Sequence, residues 1–113
     1  MNDTNTSEML RGFVDVIVIS LLKEGGDYVY NLVKKIRERS DGFFSVTNPA
    51  LLLTMKKLYS AGFVTYENEL NERGVNRKRY TLTEKGKEYG EKQMPICEEA
   101  LKKIGRLLEG EKQ

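Results

Sequence analysis

Histidine and tryptophan are missing from all 113 residues, cysteine occurs once and proline twice. Without histidine there is no imidazole for acid/base catalysis or for a Ser-His triad, and the commonest zinc ligand is gone. An enzyme made from this chain would have to work with carboxylates, lysines and tyrosines. Ten glycines are present, yet they form neither a GxxxxGK(S/T) nor a GxGxxG phosphate loop. The lone Cys97 can close no internal disulfide and has no metal-ligating company, which fits a reducing compartment. No catalytic residue, cofactor or metal is expected.

Long apolar runs are also lacking. The greasiest stretch, FVDVIVISLL, is too short to cross a bilayer and is interrupted by Asp15. The polar start MNDTNTSEM carries no basic segment leading into an apolar one. Neither a membrane span nor a secretory signal is expected, and a cytoplasmic location is. A hydrophobic share of 39% over this length supports one compact core rather than two.

What is present is an uneven distribution of charge. Residues 1–46 hold six basic and seven acidic groups, residues 47–82 six and three, and residues 83–113 seven and seven. The excess of positive charge therefore sits in the middle third, with Arg73, Arg77, Lys78 and Arg79 crowded into seven positions. An excess that small also suits a plainly solvated face.

Apolar periodicity orders the elements. Residues 10, 13, 14, 17, 18, 21 and 22 make one broad helical stripe, stopped by KEGGD. Asp27 is the expected N-cap of a second helix with stripe Val29, Leu32, Val33 and Ile36, ended near Gly42. That helix carries Lys34, Lys35, Arg37 and Arg39 on its outer side, the pattern of a solvated face. Asn48 followed by Pro49 predicts the N-cap and first turn of a third helix, with Leu51, Leu52, Met55, Leu58 and Tyr59 inward and Gly62 at its end. FVTYENEL and VNRKRYTL alternate as strands joined by NERG, an antiparallel hairpin. On its second strand Arg77 and Arg79 share one face and Tyr80 and Leu82 the other. Thr81 with Glu84 suggests a capping box and a fourth helix from about residue 82 or 83.

In that last helix Met94, Cys97, Leu101, Ile104 and Leu108 step by 3, 4, 3 and 4. Such a heptad seam is narrower than a globular core requires and asks for a partner helix, with dimerisation as one reading and a helix folding back on its own core as the other. Pro95 predicts a kink or a fresh helix start.

Three helices followed by a basic hairpin is the order of a winged helix-turn-helix domain, in which the third helix enters the major groove and the hairpin lies along the phosphates. The expected fold is thus mainly α with a small antiparallel β-hairpin, a DNA-binding domain over 8–82 and a dimerisation helix over 83–110. From the third helix Asn48, Thr54, Lys56 and Lys57 are the candidate DNA contacts, and from the wing Arg73, Arg77, Lys78 and Arg79. Leu53 lies off the apolar stripe, where it suits a thymine methyl, a neighbouring side chain or a protein surface equally.

LRGFVDVIVISLL, GDYVYNLVKKI, LLLTMKKLYSAGFV and RKRYTLTEKG, in that order and spacing, resemble the PadR-like transcriptional regulators from about Leu10 to the C-terminus. The short last helix resembles that of the family's small members. The resemblance implies a homodimer formed through the first and last helices, repression of efflux or detoxification genes, and double-stranded DNA as partner. A two-fold dimer implies an inverted-repeat operator. The chain departs from the family at Ala50, Leu51 and Leu52, which stand where members carry a Thr-Leu-Tyr triplet, and at Val29, which replaces a usual Gly. It also has no tryptophan with which small members stack flat drugs. Phe13, Tyr28, Tyr30, Tyr59 and Tyr66 suit either plain core or, where two subunits leave a gap between their first and last helices, a chamber for a small aromatic effector. The run Ala50 to Leu53 keeps a protein-interaction module, or a ligand sensor with weak DNA binding, open as alternatives.

Overall fold

The computed structural model of the chain describes residues 8–110, so the polar start MNDTNTS lies outside the described residues. A 3₁₀ turn, Arg11–Phe13, leads into α1, Val14–Leu22; then come α2, Val29–Arg39, and α3, Asn48–Ser60. Strands β1, Val64–Leu70, and β2, Asn76–Leu82, precede the long α4, Glu84–Glu109. The strands pair antiparallel in the register Val64 with Leu82 through Leu70 with Asn76. This is the expected helix order with one hairpin.

The core is one cluster. Val18, Ile19, Leu21 and Leu22 of α1 meet Leu32 and Ile36 of α2, Leu51, Met55 and Leu58 of α3, and Val64, Tyr80 and Leu82 of the hairpin. The first helical run departs from expectation at Gly12, a residue of low helix propensity, where a 3₁₀ turn separates the helical residues 8–10 from α1. Ile19 lies off the predicted stripe and is nevertheless fully buried, because α1 is covered by α4 on a second side. There a Cβ on Gly90 would come within 2.7 Å of the Ile19 Cγ2.

Caps differ from the sequence reading in three places, each for a local reason. Asp27 does not cap α2; Tyr28 holds that position, while the Asp27 carboxylate accepts from the Tyr28 N–H at 2.8 Å. Asp27 is displaced because its backbone exchanges hydrogen bonds with Tyr80, at 2.9 and 2.7 Å, forming a one-residue bridge beside β2. Thr47, not Asn48, caps α3, its hydroxyl accepting from the Ala50 N–H at 3.1 Å, and this moves Asn48 to the first helical position. Thr83, not Thr81, caps α4: its hydroxyl accepts from the Gly86 N–H and donates to the Gly62 carbonyl, while Thr81 remains in β2. Leu52, expected in the core, is 38% exposed, since the buried stripe of α3 is the narrower one of Leu51, Met55 and Leu58.

Pro95 begins no new helix, and α4 runs unbroken through it. Its first turns are bound to the body: Gly86 is buried under the Phe63 carbonyl and Tyr89 stacks on Phe63 with centroids 4.3 Å apart. Beyond them Met94 and Cys97 are half-buried, and Ile96, Leu101, Ile104, Leu107 and Leu108 are exposed.

Candidate nucleic-acid interface

Two neighbouring elements set this face. With Leu51, Met55 and Leu58 turned into the core, the spacing of α3 turns Pro49, Leu53, Lys56 and Ser60 outward, and all four are exposed. The 13 residues of α3 include no carboxylate. Its flank meets the wing around a cleft of about 240 Å³, lined by Leu52 and Val29 on one side and Asn76, Arg77, Lys78 and Tyr80 on the other. The opposite flank meets the start of α1 around a second cleft, of about 520 Å³, which Ala50, Thr54, Lys57, Val14 and Asp15 help to line.

The candidate DNA contacts fall into different environments. Asn48 and Lys56 are exposed on α3, and Lys56 has no carboxylate partner among the described residues. Thr54 is half-buried in the larger cleft. Lys57 is ion-paired, its Nζ 2.7 Å from the Asp15 carboxylate. Arg73 is exposed in the hairpin loop, where the Asn71 carboxamide oxygen accepts from the Arg73 and Val75 N–H groups and Gly74 supplies a φ of 78°.

The wing arginines do not project freely, as the alternation of β2 had suggested. The Arg77 guanidinium lies 4.0 Å above the centre of the Tyr28 ring, and Arg79 rests against Gly26. The register sets Glu69 opposite Arg77 and Glu67 opposite Arg79, so β1 itself supplies anions to the crowded cations. The Tyr28 hydroxyl donates to Glu69 at 2.7 Å, and that bond to a carboxylate raises the phenol above its ordinary value. Lys78, on the other face, sits 5.2 Å from the centre of the Tyr66 ring.

Behind the wing, Asp27 is buried with every oxygen engaged. One oxygen accepts from the Tyr28 N–H and from the Asn31 carboxamide at 2.9 Å, and the other faces the Lys35 Nζ at 2.8 Å. Burial pushes its carboxyl up, but Lys35, Asn31 and the Tyr28 N–H together hold it below the usual carboxylate range. Glu24 binds Arg39, at 2.8 Å to one guanidinium nitrogen, and is held low by that partner. The basic side of α2 is therefore partly tied to the α1–α2 loop rather than simply solvated. Sequence reasoning missed Asp15, Asp27 as an ion-pair acceptor, and Glu69; an acid interrupting the apolar stretch FVDVIVISLL was the one visible signal, and it served only to argue against a membrane span.

The model of the transcriptional regulator PadR-like family matches residues 18–92, from the middle of α1 into α4. The chain belongs to this family. Among curated relatives it is similar to the negative transcriptional regulator PadR of Bacillus subtilis, 28% identical over 71 residues, which are 63% of this chain and 39% of that protein. The chain thus matches well under half the length of that relative. A solved transcriptional regulator from Clostridium thermocellum superimposes with a TM-score of 0.78 at 29% identity, covering 88% of this chain and 94% of the other. Bacillus subtilis PadR in complex with operator DNA shares the fold, with a TM-score of 0.67 at 24% identity over 73% of this chain and 46% of that one.

The PadR-like stretch YTLTEKG has a physical account here. Tyr80 and Leu82 fill the core, Thr83 ties α4 to the end of α3, and Gly86 lets α4 approach the backbone of Phe63. None of the five aromatic residues expected around an effector lines either cleft on α3 of this PadR-like chain. Tyr59, Tyr66 and Tyr80 form a ladder with centroids 5.1 and 5.6 Å apart, whereas Tyr28 lies under Arg77.

Proposed function

We propose that this PadR-like regulator binds double-stranded DNA as a homodimer and represses transcription from an inverted-repeat operator. The observation that carries the reading is a carboxylate-free α3 whose flank adjoins the basic strand of the wing. Positive groups on and beside a helix face that carries no carboxylate suit a polyanion whose grooves admit one helix. In this reading residues 8–82 form the DNA-binding body and 83–110 the dimerisation helix. Asn48, Thr54, Lys56 and Lys57 serve the major groove, and Arg73, Arg77, Lys78 and Arg79 the flanking phosphates. The operator complex of Bacillus subtilis PadR supports the choice of partner.

Met94, Cys97, Leu101, Ile104 and Leu108 join two copies, and a two-fold dimer presents its recognition helices to two symmetric half-sites. A small aromatic effector would be held between the copies, since no described cleft of one chain collects the aromatic side chains. The site of action is the cytoplasm, where the DNA is. Among the described residues no helix is long and apolar enough to cross a membrane.

The test is selection from a pool of random duplexes, followed by a salt series on the retained sequences. An enriched inverted repeat with steep salt dependence is the expected result. Folded protein that enriches nothing and binds negligibly at moderate salt would reassign the Leu52 and Leu53 surface to a protein partner.

A further inference from the structure

We propose that Asp15 is a specificity-determining residue, whose carboxylate holds Lys57 in an internal ion pair that DNA has to break, and so suppresses binding to arbitrary sequence. The inference rests on the DNA-binding reading above. Its basis is an asymmetry between adjacent lysines of the recognition helix. Lys57 is paired with Asp15 at 2.7 Å, while Lys56 has no carboxylate partner among the described residues.

Asp15 is well placed to act as a fixed anion. Its side chain is only 28% exposed, and it stands in the first turn of α1, one turn before Val18 and Ile19 enter the core. The α1 backbone is held in turn by α4 at the close approach of Gly90 to Ile19. The carboxylate therefore cannot follow Lys57 outward. Lys57, with a side chain 65% exposed, can swing to a phosphate or a base edge only by leaving Asp15 behind.

The consequence follows from counterion release. A free lysine that meets a phosphate liberates a condensed cation, which drives binding to any sequence. When Lys57 exchanges Asp15 for a phosphate, the abandoned carboxylate is left as an added negative charge beside the polyanion, and the net neutralisation of the interface is close to zero. Lys57 thus adds nothing to purely electrostatic attachment. It contributes where the complex places it against a specific acceptor, such as a guanine edge, whose hydrogen bonds offset the lost pair. The ratio of specific to non-specific affinity rises.

The experiment compares wild type, Asp15→Asn, Lys57→Gln and the double variant, each as the full chain, on a mixed-sequence duplex over about 50 to 200 mM salt. Asp15→Asn is expected to steepen the slope of log K against log salt by about one and to tighten low-salt binding about five- to tenfold. In the wild-type background Lys57→Gln should barely change the slope, and in the Asp15→Asn background it should cancel the gain. Lys56→Gln, which leaves Asp15 intact, should lose about one unit of slope and tests the asymmetry even if Asp15→Asn were to fold poorly. An unchanged slope in Asp15→Asn, or the same steepening when Lys57 is absent, overturns the proposal, the latter by showing a general charge effect. Failure of wild type and all variants to bind any duplex would instead remove the DNA-binding reading, and this inference with it.

Discussion

At the scale of single residues, buried polarity is matched almost atom for atom, and this gives two tests. No buried side-chain nitrogen or oxygen among the described residues lacks a partner. Asp27 is the strongest case, because its carboxylate is removed from water and compensated by Lys35, Asn31 and the Tyr28 N–H. Asp27→Ala leaves those donors unanswered, and we expect a loss of about 2 kcal/mol in urea unfolding. The sign of the pH effect follows from the depressed carboxyl: Asp27 binds a proton more readily in the unfolded chain than in the folded one. Its stabilisation is therefore complete above the unfolded value and disappears as pH falls below about 4 through the lower, folded value. The denaturation midpoints of wild type and Asp27→Ala should therefore differ at neutral pH and converge as the pH is lowered. Gly86 tests packing rather than charge. A methyl there would meet the Phe63 carbonyl backbone, which cannot rotate aside, so Gly86→Ala should cost about 1 to 3 kcal/mol and lower the melting temperature.

At the scale of elements, the wing behaves as part of the body. Arg77 is engaged by Tyr28 and Glu69, and Arg79 rests against Gly26, so DNA must compete for Arg77 above all. If they nevertheless reach phosphates, Arg77→Ala with Arg79→Ala weakens all duplexes about equally and lowers the salt slope by about one, the share of Arg79, because Arg77 has to leave Glu69 as Lys57 leaves Asp15; an unchanged slope removes the wing from the interface. The order of helices and the hairpin were legible in the sequence, because the stripes Leu32 to Ile36 and Leu51 to Leu58 and the strand alternation at Tyr80 and Leu82 are local patterns. The stops were legible too: Gly62, with φ 83°, closes α3, and Gly42, with φ 78°, follows α2. The starts were less so. Thr47 against Asn48, or Thr83 against Thr81, are equivalent cap formers one or two residues apart, and tertiary bonds decided between them: the Gly62 carbonyl selected Thr83, and the bridge to Tyr80 took Asp27 out of the cap. The candidate site was legible as a list of cations and illegible as an electrostatic arrangement, since Asp15 and Lys57 are 42 positions apart and no short-range pattern joins them.

At the scale of the whole molecule, the question is what covers the outer half of α4. From Met94 to Leu108 the helix rises about 21 Å, and along it Leu101 is 56% and Leu108 82% exposed in the single chain. None of these side chains is packed against the core cluster, whose last members along the chain are Leu82 and the partly buried Tyr89. A seam of this length and spacing is satisfied by a second helix of the same kind. If α4 pairs two copies as proposed, Leu101→Glu should separate them without unfolding them: sedimentation would show monomers, while the Asp27 network and the Phe63–Tyr89 stack keep the body folded. Loss of folding together with loss of the dimer would mean that the body depends on its partner, and a surviving dimer would place the interface elsewhere. On DNA the same variant discriminates further. A monomer engages one half-site, so it should bind an intact inverted repeat and an isolated half-site with nearly the same affinity and with about half the salt slope of the dimer, because half as many phosphates are neutralised. A Leu101→Glu protein that still prefers the intact repeat would show that pairing occurs on the DNA itself rather than through α4.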